Sequence, residues 1–200
     1  MRFSTNLSVT KLEQCPKCGG EMQPSGVPYG NFTPLPGFLQ PHPINLVVVL
    51  DNLRSTLNVG SIFRTSDGAG IRHVYCCGTT PTPEHPKIAK TSLGAETFTP
   101  WSYHTNAVDL VSGLKQAGRR VFALETAATS TSLFDLEIHA VPLPLALIVG
   151  NEISGIDPAI LALADTLLAI PMAGQKTSLN VAVSAGIAMY TISDRLKHVT

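Results

Sequence analysis

Three short stretches of the 200-residue sequence combine glycines and polar residues in ways that packing alone does not explain. The most informative is 170–180, where Pro171 ends strand pairing and Ser178 is placed to cap a following helix. Such a loop leaves backbone N–H and C=O groups facing inward, where they can hydrogen-bond a heterocyclic ring. Ile170 and Leu179 can then pack against the faces of that ring. We therefore predict a ligand-binding loop in this stretch.

The second stretch begins at Asn58 and ends at Arg64. Asn58 is predicted to cap a helix over 59–69, since asparagine accepts hydrogen bonds from a first helical turn. Arg64 then lies near the start of that helix, where the macrodipole disfavours a positive charge, and this placement indicates a function. The alternative is a surface arginine paired with Asp67 or Asp51. The residues alone leave both interpretations open.

The third stretch follows an apolar run directly and contains Gly150 and Glu152. A carboxylate at the edge of a sheet can orient an arginine or asparagine side chain, or accept a hydrogen bond from a ligand hydroxyl. The alternative is an acidic residue favoured by the N-terminus of a helix that begins near Pro158. Taken alone, this pattern does not decide between the two.

The elements that must position these stretches alternate between strands and helices. Apolar runs predict strands over 44–50, 71–77, 120–124, 145–149 and 166–170. Helices are predicted near 59–69, 106–117, 158–163 and 178–196. This alternation is typical of an α/β fold with a mostly parallel sheet and flanking helices. Ligands of such sheets lie beyond the carboxyl ends of the strands, which is where the three stretches fall.

Composition excludes several classes of protein. Hydrophobic residues make up 44% of the chain and charged residues 14%, so the chain folds around a core and is not disordered. No apolar run reaches the length of a membrane span, and the first residues lack an apolar signal segment. We therefore expect a cytoplasmic protein with no membrane partner. A phosphate-binding P-loop and a dinucleotide-binding fingerprint are both absent from the sequence.

Charge is balanced overall but unevenly distributed along the chain. Lys plus Arg and Asp plus Glu both number 14, which counts against a polyanion ligand for the chain as a whole. Residues 52–120, however, include eight Lys or Arg residues but only four Asp or Glu residues, whereas residues 121–175 contain no Lys or Arg. One basic face is therefore predicted, the alternative being ordinary solvated surface charges.

Residues 1–43 are rich in proline and glycine and lack helical or strand periodicity, so they are predicted to form an arm ahead of one domain over 44–200. Within the arm, Cys15 and Cys18 have the spacing of one knuckle of a zinc ribbon. Two thiolates are half of a tetrahedral site, so Zn²⁺ would need ligands from another chain or from His42. We favour a metal-free turn here.

Together the three stretches resemble the SpoU family of RNA methyltransferases, also called the TrmH family, within the SPOUT superfamily. The resemblance covers residues 44–196, and its motifs agree in order and spacing as well as in identity. They are Asn58-Val59-Gly60-Ser61-Ile62-Phe63-Arg64-Thr65, Ile148-Val149-Gly150-Asn151-Glu152 with Gly155, and Ile170-Pro171-Met172 with Ser178-Leu179-Asn180-Val181. Residues 90–95 also resemble a family segment that faces the substrate.

The resemblance implies a fold, a cofactor and a set of site residues. The fold is an α/β knot, a mostly parallel sheet whose C-terminal part is threaded into a deep trefoil knot. The methyl donor would be S-adenosylmethionine, and its site would be lined by Leu124, Gly150, Ile170 and Leu179. The residues that match the catalytic set of the family are Asn58, Arg64, Glu152, Ser178 and Asn180. Family members work as homodimers with both active sites at the subunit interface.

The implied reaction is methylation of a ribose 2'-hydroxyl in tRNA or rRNA. It is an in-line displacement, in which the hydroxyl must be held opposite the leaving sulfur. A guanidinium is effectively always protonated, so we expect Arg64 to fix the adjacent phosphate and stabilise the developing alkoxide, and not to act as the base. Two alternatives remain: a catalytically silent RNA-binding module of the same fold, and a methyltransferase that acts on a base.

Overall fold

The structure is a computed structural model that describes residues 14–15, 18–21, 44–137 and 144–197. The chain divides into two units, residues 1–40 and residues 41–200. In the second unit the strands are β1 (Ile44–Asp51), β2 (Ile71–Cys77), β3 (Trp101–His104), β4 (Arg120–Leu124), β5 (Thr131–Ser132), β6 (Leu145–Val149) and β7 (Thr166–Ala169). The α-helices are α1 (Thr56–Ala69), α2 (Ala89–Ser92), α3 (Ala107–Gln116), α4 (Pro158–Leu163) and α5 (Val181–Lys197). Short 3₁₀ turns span Ala95–Thr97 and Leu133–Asp135.

The strands form one seven-stranded sheet in the order β3-β2-β1-β6-β4-β7-β5. Every ladder between these strands is parallel. This confirms the predicted fold class, a mostly parallel sheet with flanking helices. The sheet is parallel because each connection between neighbouring strands crosses over through other elements instead of turning back in a hairpin.

Both faces of the sheet are covered, which explains why the strands read as continuous apolar runs. Alternate residues of β1 enter different cores, with Val48 in one and Val49 in the other. The first core is completed by α1 and α5, which bury residues such as Phe63 and Met189. The second core is completed by α3 and α4, which bury Val111 among others.

The last helix, α5, returns across the sheet from β7 and packs on α1, β1, β4 and β6. Its side chains contact α1 closely, and the Ser66 hydroxyl lies 3.4 Å from the Met189 sulfur. This path is consistent with the trefoil knot that the resemblance implies. Of the helices within the described ranges, none is both long and apolar enough to cross a bilayer.

Two strands and one helix were missed by the sequence prediction, for physical reasons. The strand β3 lies at the edge of the sheet and contains only four residues, so it lacks a continuous apolar run. The strand β5 has two residues, and α2 has four, which is too short for any periodicity. The predicted strands at 120–124 and 145–149 match β4 and β6 at both ends.

The adjacent cysteines of β2 point to opposite faces of the sheet, as the strand periodicity predicts. Cys76 belongs to the first core and Cys77 to the second. Burial raises the pKa of both thiols to about 12, so they remain protonated packing residues. Because the two side chains enter different cores, they cannot both bind one metal ion.

In the first unit, the described residues around the cysteine pair form a tight turn. The Cys15 N–H donates to the Gly20 carbonyl at 2.8 Å, and the Gly19 N–H donates to the Cys15 carbonyl at 2.8 Å. Gly19 has φ of +68°, a left-handed conformation that glycine adopts without strain. Within the described ranges, no group of three or more His, Cys, Asp or Glu side chains could hold a metal ion. His42 lies outside those ranges.

Gly60 allows α1 to approach the segment that contains α2. A Cβ placed on Gly60 would lie 2.1 Å from the Thr91 hydroxyl oxygen and 2.6 Å from the Ile88 carbonyl oxygen. We expect Gly60→Ala to lower the free energy of unfolding by about 1 to 3 kcal/mol through overpacking. Gly113→Ala is the matched control, because that helical glycine has no neighbour within 4 Å. It should stabilise the protein by about 0.5 to 1 kcal/mol. Equal effects in chemical denaturation would contradict this packing.

Candidate active site

A cleft opens at the edge of the sheet where β4, β6 and β7 end. The register pairs Leu124 with Val149, so β4 and β6 stop at the same level. The cleft has a volume of about 330 Å³, which suits a small organic ligand. Its walls are residues 124–126, 149–153, 155, 168–170, 172, 177–181 and 184. The carboxyl ends of these strands, where the sequence predicted ligand binding, therefore form a concave site.

All of the residues predicted to bind a cofactor line this cleft: Leu124, Gly150, Ile170 and Leu179. Leu124 and Ile170 also pack against the first core, which fixes their positions. Leu179 is 38% exposed and offers an apolar surface to the cleft. The arrangement provides an apolar wall for a flat ring system.

Gly150 is required by a close approach of two backbone segments. A Cβ at this position would lie 2.5 Å from the Gly155 carbonyl carbon and 2.5 Å from the Ile156 nitrogen. The loop between them is closed by paired hydrogen bonds of 3.0 Å between the backbones of Asn151 and Gly155. This tight loop holds Glu152 at the mouth of the cleft.

Glu125 is a cleft residue that the sequence interpretation missed. Its carboxylate accepts hydrogen bonds from the N–H groups of Thr126 and Ile156, both at 3.1 Å. Gly155 leaves room for it, because a Cβ there would lie 2.5 Å from Oε2 of Glu125. The carboxylate is therefore fixed in the cleft wall. The sequence contained the pattern that would have identified it: Glu125 comes directly after the strand over 120–124, much as Glu152 comes shortly after the strand over 145–149.

Three of the predicted catalytic residues form one hydrogen-bonded chain. The Asn180 side-chain amide donates to the Asn58 side-chain oxygen at 3.1 Å. The Asn58 amide donates in turn to Oε1 of Glu152 at 3.0 Å. The backbone N–H groups of Arg54 and Ser55 also donate to Glu152, at 3.0 and 3.2 Å. Residues far apart in sequence are thus brought together by the ends of β1 and β6 and the start of α5.

Asn58 and Ser178 were predicted to cap α1 and α5, and both predictions are wrong by two or three residues. The observed caps determine which hydrogen bonds the side chains of Asn58 and Asn180 can make. Ser55 caps α1, and its hydroxyl accepts from the Asn58 N–H at 3.3 Å. The Asn58 side chain is therefore free to contact Glu152. At α5, the Asn180 oxygen accepts from the Ala182 N–H at 2.9 Å, so Asn180 occupies the capping position predicted for Ser178.

Ser178 lines the cleft and is exposed. Its side chain makes no hydrogen bond to any residue within 44–137 or 144–197. The hydroxyl therefore stays available to a bound molecule.

Hydrogen bonds decide the charge state of Glu152. Burial by itself raises the pKa of this carboxyl, but the bonds donated by the Asn58 side chain and by the Arg54 and Ser55 backbones lower it below 4.5. Glu152 is therefore an ionised acceptor at neutral pH. A carboxylate in this state is a weak base and orients its neighbours.

The lowered pKa of Glu152 predicts a pH-dependent stability difference. The stabilising contribution of the carboxylate is complete above the ordinary pKa of 4.5 and is lost as pH falls through the lowered value. We expect Glu152→Gln to melt at a lower temperature than the unmodified protein at neutral pH, with the difference shrinking in acid. Thermal denaturation across this pH range measures it. A difference that grows on acidification would contradict the assignment.

Asn58 reaches this cleft through its hydrogen bonds to Glu152 and Asn180. Arg64 is the one predicted catalytic residue that neither lines the cleft nor bonds to a residue that does. It lies in the middle of α1, and not near the helix start as predicted, and its side chain is exposed. The single ion pair found within the described residues joins Lys115 and Asp165, so neither alternative partner, Asp67 or Asp51, holds Arg64. The guanidinium therefore remains available to a molecule outside this chain.

A set of polar contacts around the buried Asp51 supports the loops around the cleft. The Asp51 carboxylate accepts from the Asn52 side chain at 2.8 Å and from the Asp157 N–H at 3.1 Å. Burial raises the pKa of Asp51 above its ordinary range. Asn52, at φ of +55°, also accepts from the Thr79 N–H, and its own carbonyl accepts from Asn151 at 2.6 Å. These hydrogen bonds connect the segments that follow β1, β2 and β6.

Comparison with known proteins gives consistent matches. The family model for the SpoU rRNA Methylase family matches residues 45–190. The 23S rRNA (guanosine-2'-O-)-methyltransferase RlmB of a Burkholderia species is 33% identical over 153 residues, covering 76% of this chain and 60% of that protein. The RlmB of Vibrio parahaemolyticus is 29% identical and covers 80% of this chain and 63% of its own. The chain spans about three fifths of the length of the curated relatives it matches.

Solved structures agree with the sequence relatives. The AdoMet-bound rRNA methyltransferase of Sinorhizobium meliloti matches with a TM-score of 0.70 and 28% identity, covering 81% of this chain and 59% of that one. The TrmH/SpoU tRNA modifying enzyme of A. aeolicus matches with a TM-score of 0.69 and 27% identity, covering 77% and 76% of the two chains.

Proposed function

The chain belongs to the SpoU rRNA methylase family, and from this premise we propose that it transfers a methyl group from S-adenosylmethionine to a ribose 2'-hydroxyl of tRNA or rRNA. The observation that carries the proposal is the cleft itself. Its apolar wall adjoins the hydrogen-bonded chain from Asn180 through Asn58 to Glu152. Ribose as the acceptor is supported by relatives named as 2'-O-methyltransferases.

The cleft fits S-adenosylmethionine, which would supply an electrophilic methyl group on a sulfonium. Ile170 and Leu179 would contact the adenine, and the backbone of the loop after β7 would hydrogen-bond its edge. Gly150 lets the loop after β6 fold closely on itself, and this loop would form part of the floor. Glu125 would accept hydrogen bonds from donor hydroxyl or ammonium groups, because each of its fixed oxygens retains a free lone pair.

In-line transfer would require the ribose oxygen to bond the methyl carbon as the carbon–sulfur bond of the donor breaks and the sulfur keeps the electron pair, with the hydroxyl proton released to water. Arg64, which stays protonated, would hold the adjacent phosphate and stabilise the negative charge that develops on the oxygen. Asn58, Glu152 and Ser178 would orient these groups. Positioning of the hydroxyl in line with the sulfur supplies much of the rate.

We also propose that the enzyme is a homodimer whose active sites combine residues of two copies. Arg64 is exposed on α1 and does not line the cleft of its own chain. The neighbouring α5 presents Val183 and Tyr190, which are 50% and 53% exposed. A second copy packed on this face would cover those apolar side chains and carry Arg64 towards a cleft that is not its own.

Calorimetry tests donor binding separately from catalysis. We expect S-adenosylmethionine to bind the isolated protein with one site per chain, and Leu179→Glu to abolish binding by placing a carboxylate on the apolar wall. Phe134→Glu is the control and should bind the donor normally, because Phe134 is 51% exposed, lies outside the cleft and is not among the side chains proposed to be covered in the dimer. A protein that does not bind S-adenosylmethionine would instead be a catalytically silent module of this fold.

A further inference from the structure

The cleft contains two carboxylates and, among the residues that the structure describes, no cationic side chain to balance them. Glu125 and Glu152 both line it. None of the other lining residues in the described ranges is Lys, Arg or His. Arg54 and Lys176 are close by in the chain, but both are exposed and neither lines the cleft. The single ion pair within 44–137 and 144–197 lies elsewhere. The cleft of one chain is therefore negatively charged.

Hydrogen bonds hold both carboxylates in place without cancelling their charge. Glu152 accepts from the Asn58 side chain and from two backbone N–H groups. Glu125 accepts from the Thr126 N–H through Oε1 and from the Ile156 N–H through Oε2, both at 3.1 Å. All of these donors are neutral groups, so they orient the carboxylates and leave a full negative charge on each.

The start of α5 offsets only part of this charge. Val181, the first residue of α5, lines the cleft. The N-terminus of an α-helix is equivalent to about half of one positive charge, against one full negative charge on each carboxylate. One Arg64 of the proposed dimer would add a positive charge, but it would act with Glu152 on the RNA acceptor. Glu125 then has no counter-ion among the described residues.

The two forms of the proposed ligand differ by one positive charge. S-adenosylmethionine contains a sulfonium, and S-adenosylhomocysteine, which remains after transfer, contains a neutral thioether at the same place. A charge in a cleft of about 330 Å³ lies on the order of 10 Å or less from the walls, within about one Debye length at physiological ionic strength. At this range, two fixed negative charges favour the sulfonium form over the thioether form.

We propose that the cleft distinguishes the methyl donor from its spent product by charge, and that Glu125 provides most of this distinction. This inference rests on the proposed function, because it requires S-adenosylmethionine to be the ligand. It concerns regulation of the same site: S-adenosylhomocysteine binds weakly, leaves after each transfer and inhibits the enzyme little.

Calorimetry of the unmodified protein with three ligands tests the proposal. The third ligand is sinefungin, in which a carbon bearing an ammonium group replaces the methylated sulfur, so the positive charge is kept. We expect S-adenosylmethionine and sinefungin to bind about 3-fold to 30-fold more tightly than S-adenosylhomocysteine. The difference should narrow as salt is raised. A preference that came from contacts with the methyl group would not be shared by sinefungin and would not respond to salt.

Variants of the cleft wall separate charge from shape. Glu125→Gln removes the charge at nearly constant volume and should lower the ratio of the two Kd values, product over donor, by about 3-fold or more. The ratio is the readout because a shift of the loop would weaken both ligands alike. Thr126→Lys, at an exposed lining residue, leaves Glu125 intact and should lower the same ratio. Glu84→Gln, at an exposed carboxylate outside the cleft, is the control and should not change it.

Two results would overturn the proposal. One is product binding as tight as donor binding in the unmodified protein. The other is a ratio in Glu125→Gln and Thr126→Lys that equals the ratio in the control. If the unmodified protein binds none of the three ligands, the proposed function itself has failed.

Discussion

Arg64→Ala is expected to slow methyl transfer by about 100-fold to 1000-fold, the usual cost of removing one group that stabilises charge in a transition state. Stability and donor affinity should remain near those of the unmodified protein, because the Arg64 side chain is exposed and lies outside the cleft. Single-turnover rates at saturating RNA, together with melting temperatures, measure both. Arg72→Ala, at another exposed arginine, is the control and should keep the full rate.

Arg64→Lys separates charge from geometry at the same position. Lysine keeps the positive charge but cannot make the planar, bidentate contact of a guanidinium with a phosphate. We expect the lysine variant to stay well below the unmodified enzyme. Turnover near that of the unmodified enzyme with unchanged RNA affinity would reject the need for a bidentate contact.

Mixed dimers decide which copy supplies Arg64. A chain with Arg64→Ala keeps an intact cleft, and a chain with Leu179→Glu keeps its Arg64. If the arginine serves the partner's cleft, a heterodimer of the two variants contains one complete site, and mixing two inactive proteins restores activity. If Arg64 serves its own cleft, neither site is complete and mixing restores nothing.

Asn58→Asp is expected to lower the rate by about 100-fold through misplacement of the groups that Asn58 orients. The new carboxylate would lie about 3.0 Å from Oε1 of Glu152, where an amide now donates. Two carboxylates at this distance cannot both ionise without a cost, so the variant should also be less stable at neutral pH.

Asn58→Ala provides the matched comparison. It removes both side-chain hydrogen bonds, to Glu152 and from Asn180, but adds no charge. We expect it to be less harmful than Asn58→Asp in both rate and melting temperature. If Asn58→Ala were slower and less stable than Asn58→Asp, charge repulsion with Glu152 would not explain the effect of substitutions at this position.

The sequence predicted the sheet well because its strands are buried on both faces. Runs such as 145–149 contain no polar residue, so the identity and limits of the strand follow from composition alone. Helix starts were harder, since Ser55 and Asn58 are both good caps within one turn. The structure shows that Ser55 caps the helix and that the Asn58 side chain instead contacts Glu152, which lies in a distant part of the chain.

The candidate site was predictable as a set of residues but not as an arrangement. The cleft residues follow strands and could be located by that rule, although Glu125 was overlooked. The separation of Arg64 from the cleft could not be foreseen, because it depends on which face of α1 is covered by α5. The assignment of catalytic roles remains a prediction.

The central claim is that the acceptor is a ribose 2'-hydroxyl of RNA. It is tested most directly by mass spectrometry of nucleosides from RNA of a strain that lacks the protein. We predict that one 2'-O-methylnucleoside position in tRNA or rRNA is lost, that the unmodified gene restores it, and that Arg64→Ala does not. A missing base methylation, with every ribose methylation intact, would contradict this account.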